Sequence, residues 1–302
     1  MLQTNKVFHK PALLKEAIEF LNIKPGEVYI DATVGGGGHT EAILKKGGRV
    51  VGIDFDPAAI EFTKERLKKA CPNASWQIIK ANFIDLKKIA GQLGIINHCA
   101  GIIFDLGTSF NQLTSKERGF SFSHNEILDM RMDPDLKVRA VDLINGLGKK
   151  ELYELFIRLG EEKLALPIAQ AIILARKRES VRYTGQLAEI AVNVYCKRKI
   201  HSQIHPATKI FQALRIAIND ELNNIRKALP EALAILQHKG RLVIISFHGL
   251  EDRIVKEFFK EEEIKGRLKI LTKKPVVPTM EEKLINSRCR SAKLRCGEKY
   301  ER

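Results

Sequence analysis

DATVGGGGHT, Asp31 to Thr40, places four consecutive glycines directly behind the apolar run VYIDATV. Glycine gives up more backbone freedom on folding than any other residue, so four in a row mark a very close approach of the chain to something. A glycine-rich turn between a first strand and its helix is the nucleotide-binding position of an open α/β sheet. VYIDATV reads as the buried strand, and HTEAILKKGG as a helix stopped by Gly47 and Gly48.

Working outward, the same grammar repeats. RVVGIDFD is a second strand, PAAIEFTKERLKKA a helix with Pro57 in its first turn, and SWQIIKANF a third strand. IDLKKIAGQLG is a helix and CAGIIFDLG a fourth strand. Alternating strands and helices predict a doubly wound, mostly parallel sheet. From about Leu113 to Leu214 only helical runs follow, among them KKELYELFIRLG, KLALPIAQAIILARKR and TGQLAEIAVNVYCKRK. After one long helical pattern, ATKIFQALRIAINDELNNIRKALPEALAILQ, strand grammar returns at Arg241 with RLVIISFHG. The economical reading is an α/β domain over 1–112 and 215–302, interrupted by an inserted all-helical domain over 113–214. RLKILTKK and SAKLRCGEKY are expected to close the sheet as an antiparallel edge pair.

The ligand of the glycine turn can be narrowed. A dinucleotide fingerprint needs G-x-G-x-x-G/A, but the sixth position is Thr40 from Gly35 and Glu41 from Gly36. No G-x-x-x-x-G-K-[ST] is present either, so the case for a phosphate weakens. Asp54 ends the second strand, where an acid can accept from both ribose hydroxyls of a nucleoside. A glycine turn, a ribose carboxylate and no pyrophosphate signature together fit S-adenosylmethionine. The fourth strand ends FDLGTSFNQL, which puts Asp105 and Ser109 where a methyl acceptor would be held.

Charge points to a polyanion. Lys and Arg number 51 against 36 Asp and Glu, a net of +15. The surplus is uneven: Lys265–Arg302 carries twelve cations against four acids, and Arg176–Lys199 seven against two. Clustering of this kind suits contact with a phosphate backbone. The five cysteines are odd in number and lack C-x-x-C, which reads as a reducing compartment without a disulfide frame or zinc site. His201 and His205 stand at i, i+4 without H-E-x-x-H, so they read as structural, and no metal is expected. No apolar stretch approaches a membrane span and the start lacks a signal peptide's apolar block, so the expectation is a cytoplasmic protein.

Three longer strings carry a family resemblance: ERGFSFSHNEILDMRMD (Glu117–Asp133), HPATKIFQALRIAINDEL (His205–Leu222) and LVIISFHGLEDRIVK (Leu242–Lys256). With the glycine turn, the chain from about His9 to Glu298 resembles the bacterial ribosomal RNA small subunit methyltransferase H family. These are 16S rRNA cytosine-N4 methyltransferases, also called MraW. The resemblance implies a class I S-adenosylmethionine-dependent, Rossmann-like methyltransferase sheet with a helical insert, acting on a cytidine in the decoding region. By the family motif, cofactor contacts fall on Gly37, Gly38, His39, Asp54, Phe83, Asp105 and Gln112. The sequence departs from the family in two places. Thr108–Thr114 read TSFNQLT where the family has V-S-S-P-Q-L-D, and Gly249 replaces a serine in the string SFHSLEDR.

Methyl transfer to an amine is an in-line displacement, and the exocyclic amine of cytosine is a poor nucleophile. The expected catalytic residues are Asp105, as hydrogen-bond acceptor for that amine, and Ser109 beside it. Phe110 is a candidate to stack a splayed-out base, and His248 and Arg253 are candidates for the substrate side of the sheet. Arg178 and Arg290 represent the two basic zones, with Arg176, Lys177, Arg182, Arg288, Lys293 and Arg295 beside them. The implied partner is 16S rRNA, within an assembled 30S subunit or stripped of protein, and the helical insert offers a surface for a homodimer. Other readings stay open: the same chemistry on tRNA or DNA, a dinucleotide-dependent oxidoreductase, or a non-catalytic rRNA-binding assembly factor.

Overall fold

The computed structural model describes residues 11–107 and 118–300. These residues fall into two compact units, one formed by the residues up to 107 and from 222 onward, the other by 118–221.

The first unit is built on strands β1 (Val28–Asp31), β2 (Arg49–Asp54), β3 (Trp76–Lys80), β4 (Cys99–Asp105), β5 (Leu236–Ser246), β6 (Leu268–Ile270) and β7 (Lys293–Lys299). They form one sheet in the order β3-β2-β1-β4-β5-β7-β6. The strands β3 to β5 in that order run parallel, and β7 runs antiparallel to both β5 and β6. The antiparallel pair expected from the tail is therefore present, but β7 is an interior strand, and only β6 lies at the edge. Continuous burial explains the assignment of β4, whose residues from Cys99 to Phe104 are all buried, as a parallel strand covered on both faces requires.

Helices α1 (Leu14–Leu21), α2 (Gly38–Lys45), α3 (Pro57–Ala70), α4 (Leu86–Gln92), α10 (Glu221–Ile235), α11 (Gly249–Ile264) and α12 (Met280–Ile285) accompany the sheet. The start of α3 follows directly from sequence. Asp56 accepts from Ala58 N at 3.0 Å and Pro57 supplies the pre-set first turn. In α1 the buried Ala17, Ile18 and Leu21 lie on one face and join a core that includes Tyr29, Ile103, Val243 and Leu294.

The second unit is all-helical: α5 (Ala140–Gly146), α6 (Lys149–Gly160), α7 (Ala165–Arg176), α8 (Thr184–Lys197) and α9 (Thr208–Asn219), around a core that includes Leu152, Phe156, Ile168, Leu187 and Ile210. The unit runs through Glu221 and does not stop at Leu214, because α9 is continuous across that residue. The long pattern from Ala207 to Gln237 is also broken in two, since Asp220 takes a left-handed φ of 50° and ends α9.

Two tail cations counted toward a polyanion surface are engaged internally. Arg295 is buried, and its Nε and Nη2 reach Asp252 at 2.6 and 3.3 Å, with Lys293 Nζ at 3.3 Å from the same carboxylate. Removing one partner of a buried ion pair leaves an uncompensated charge. Arg295→Ala is therefore expected to lose roughly 3 kcal/mol of stability, read as a lower urea midpoint at unchanged m-value.

Candidate active site at the carboxyl edge of the sheet

In an open α/β sheet the ligand crevice lies off the carboxyl ends of the strands where the order reverses, here between β1 and β4. Three acids end neighbouring strands at that place: Asp31 on β1, Asp54 on β2 and Asp105 on β4. Asp31 escapes the reading of the motif although it ends its strand just as Asp54 does; the signal was present in VYIDATV.

Each acid is held differently. Asp31 accepts from Thr40 Oγ1 at 2.7 Å and from Thr33 N at 3.2 Å. Asp54 accepts from Gly35 N at 2.8 Å and Asp56 N at 2.9 Å, tying the end of β2 to the glycine turn. The Asp105 backbone N–H donates to Thr33 Oγ1, two residues beyond β1, at 2.6 Å, and its carboxyl accepts from the Gly107 backbone. Its side-chain Oδ1 is buried without a hydrogen-bond partner among the described residues.

Electrostatics follow from this. Burial pushes Asp31 and Asp54 up to about 6, against the hydrogen bonds that favour their charged forms. Asp105 is pushed up to about 7 by burial, reinforced by the like charges of Asp31 and Glu251. His39, one residue into α2, is pushed down to about 4 by burial. Its Nδ1 stands 3.8 Å from Asp105 Oδ2, but with the imidazole neutral at pH 7 this contact is not an ion pair. His39 Nε2 also lacks a partner among the described residues. Such clustered perturbation in one crevice is a mark of functional sites.

The glycine turn is gripped from α3. Thr63 Oγ1 donates to Gly35 O at 2.9 Å, and Arg66 Nη1 donates to Gly36 O at 2.9 Å while its Nε donates to Glu41 at 2.6 Å. A Cβ on Gly37 would sit 2.7 Å from Thr63 Cγ2, and one on Gly38 would sit 2.6 Å from Pro11 Cγ. The close approach that the four glycines signal is thus, at these two positions, packing of the turn against its own protein. Gly37 also has φ +74°. Gly37→Ala is expected to lose roughly 1–2 kcal/mol for the left-handed backbone and a similar amount for overpacking. Gly94→Ala, at φ +66° with no atom within 4 Å of the added Cβ, is expected to lose only the first part. Urea unfolding of the two variants checks the difference.

The remaining candidates separate. Phe83 lies beyond the end of β3, opening the 3-10 turn Phe83–Asp85, and packs edge-on against Phe104 with ring centroids 5.7 Å apart. His248 begins α11: its Nδ1 accepts from Glu251 N at 3.4 Å. Nε2 is 3.1 Å from Glu251 Oε1, within ion-pair range but without hydrogen-bond geometry. Glu251 returns the bond by accepting from Phe247 N and His248 N. The pair is thus a helix start as well as a neighbour of the site. Arg253, Arg178 and Arg290 are exposed. Arg176 is half-buried and donates to Ile144 O at 2.7 Å. Ser109, Phe110 and Gln112 lie outside the described residues. His205 stacks on Phe122, with centroids 4.3 Å apart, and accepts from Ala207 N at 3.2 Å, a structural setting.

A parallel sheet with a single antiparallel strand next to its edge, a glycine turn without a pyrophosphate fingerprint and an acid ending β2 define a class I, Rossmann-like methyltransferase. The comparisons with known proteins agree. The model of the MraW methylase family matches residues 6–300. A protein of Carboxydothermus hydrogenoformans named ribosomal RNA small subunit methyltransferase H is 44% identical over 308 residues, covering 96% of this chain and 97% of that one. One of the same name from Sulfurihydrogenibium sp. is 44% identical over 293 residues, covering 96% and 99%. The chain belongs to the MraW methylase family, and it is a methyltransferase.

Proposed function

We propose that this protein transfers the methyl group of S-adenosylmethionine to N4 of a cytidine in the decoding region of small-subunit ribosomal RNA, in the cytoplasm. The observation that carries the reading is the row of three carboxylates ending β1, β2 and β4, Asp31 buried and Asp54 and Asp105 half-buried, of which Asp105 keeps one oxygen without a partner among the described residues. The names of the two relatives supply the ribosomal RNA.

The residues present fit the cofactor. A buried polar atom without a partner carries a desolvation penalty of about 1–3 kcal/mol, and among the described residues both Asp105 Oδ1 and His39 Nε2 are such atoms. Asp54 accepts two backbone N–H groups, and a carboxylate has about four acceptor sites, which leaves capacity for ribose hydroxyls. Gly37, Gly38 and His39 would hold the amino-acid end, Phe83 would lie by the adenine, and Gln112 would complete the set. When bound, the cofactor supplies a methyl group activated on a sulfonium.

The rest is the work of the chain. Asp105, in its ionised form, accepts a hydrogen bond from the cytosine N4 amine and so returns electron density to nitrogen. Its position is fixed by the Thr33 hydroxyl, which ties the ends of β1 and β4 together. Ser109 is assigned with it to the methyl acceptor, and Phe110, His248 and Arg253 to the RNA, as their places in the sequence imply. The helical unit, with Arg178, and the tail, with Arg290, meet the RNA backbone. Affinity is therefore expected to fall steeply with salt.

The test supplies methyl-labelled S-adenosylmethionine with undermethylated small subunits, their stripped RNA, transfer RNA and DNA in parallel. Label in the small-subunit RNA alone supports the reading; label in transfer RNA or DNA instead overturns it.

A further inference from the structure

The helical unit carries an exposed aromatic ring in a setting the catalytic site does not use. Residues 181–185 precede and open α8, yet every backbone N–H from Val181 to Gly185 has an acceptor. Val181 N donates to Asn145 Oδ1 at 3.1 Å, and Arg182 N and Tyr183 N both donate to Gln186 Oε1, at 2.8 and 3.0 Å. Thr184 N donates to Glu126 O at 2.8 Å and Gly185 N to Asn125 Oδ1 at 3.2 Å. On the other edge Leu128 N donates to Arg182 O, and Ile127 and Tyr183 form an antiparallel bridge. The stretch is thus zipped to 125–128 and capped from within α8.

Its side chains divide accordingly. Val181 and Thr184 are buried, while Arg182 and Tyr183 face outward. Tyr183 is 42% exposed and its bridge partner Ile127 is 50% exposed. Tyr183 and Ile127 thus present a half-exposed ring and an exposed aliphatic side chain as bridge partners on a fully bonded backbone. The surrounding stretch, Arg176–Lys199, carries seven cations against Glu179 and Glu189. An exposed ring on a pre-ordered backbone, with guanidinium beside it, has the chemistry of a base-stacking platform: the ring takes a π-face and the cations take the phosphates.

We infer that Tyr183, with Ile127 beside it, is a stacking site for an unpaired nucleotide of the RNA substrate, and that Arg182 holds the adjoining phosphate. The proposal rests on RNA being the substrate, and it adds a contact in the helical unit apart from the residues at the sheet edge. Because the backbone is already ordered, little freedom is lost on binding, and the ring's contribution is realised in affinity.

The experiment compares full-length wild type with Tyr183→Ala, Tyr183→Phe, Tyr183→Trp and Arg182→Ala. Binding is measured on stripped small-subunit RNA at fixed salt, together with methyl-transfer kinetics and S-adenosylmethionine affinity. Tyr183→Ala is expected to weaken RNA binding and raise the KM for RNA roughly tenfold, with kcat, cofactor affinity and melting temperature unchanged. Tyr183→Phe and Tyr183→Trp should restore binding. Arg182→Ala should reduce the slope of log affinity against log salt by about one. Wild-type binding by Tyr183→Ala overturns the inference while the methyltransferase reading stands. A defect toward assembled subunits but not toward stripped RNA also overturns it, in favour of a protein contact. A wild type that methylates neither the stripped RNA nor assembled small subunits overturns the substrate reading itself.

Discussion

Asp105→Asn is expected to lower kcat/KM for methyl transfer by about 10²–10³-fold, the range for loss of one preorganised electrostatic group at a reacting atom. The substitution keeps the shape and removes the anion that accepts from the amine. Because the Asp105 carboxyl is pushed up to about 7, wild-type kcat/KM is also expected to rise with pH through about 7 as the carboxylate forms. In Asp105→Asn that limb should be absent. Stability should move the other way. The folded-state value lies above the ordinary 3.8, so between these pH values the native state binds more protons than the unfolded one. Rising pH therefore destabilises the wild type through this group, and the asparagine escapes that penalty. The variant is expected to melt several degrees above wild type at pH 8, with the gap narrowing as pH falls toward 5. Near-normal turnover in Asp105→Asn would remove Asp105 from the mechanism.

Asp54→Ala is expected to weaken S-adenosylmethionine binding by about 100-fold, equivalent to ~2.7 kcal/mol. The carboxylate has two tasks in this account: it receives the ribose, and it anchors the turn through Gly35 N and Asp56 N. Loss of both explains an effect larger than one neutral hydrogen bond. Calorimetric titration with the cofactor measures it directly. A change below threefold would place the ribose elsewhere. The apo protein should tolerate the change well, because the lost bonds are offset by relief of a half-buried carboxyl whose desolvation pushes it up to about 6.

Much of this site is legible in the chain. PAAIEFTKERLKKA gives α3 from its first residue to its last, because Asp56, Pro57 and the apolar spacing all agree. RVVGIDFD and FDLG place two strand ends and their acids, Asp54 and Asp105, without any structure. What the chain does not reveal is which distant groups grip these ends. Thr63 and Arg66 hold the carbonyls of Gly35 and Gly36 from a helix about 30 residues away, and nothing local in TKER marks them for it. Charge counting has the same limit: Arg290 and Arg295 look alike in RCRSAKLRC, yet one is exposed and the other clamps Asp252 in the interior. Asp220 breaks a pattern that reads as one helix, since apolar periodicity continues through a residue whose φ is +50°. The role of Tyr183 is legible only once the bonds that fix its backbone are known.

The most direct measurement is the identity of the modified nucleoside. Undermethylated small subunits are incubated with the protein and methyl-labelled S-adenosylmethionine, and the RNA is digested and analysed by mass spectrometry. The expected result is label in N4-methylcytidine at a single decoding-region position, incorporated far more slowly when Asp105→Asn replaces the wild type. Label in any other nucleoside, or equally fast labelling with Asp105→Asn, would contradict it.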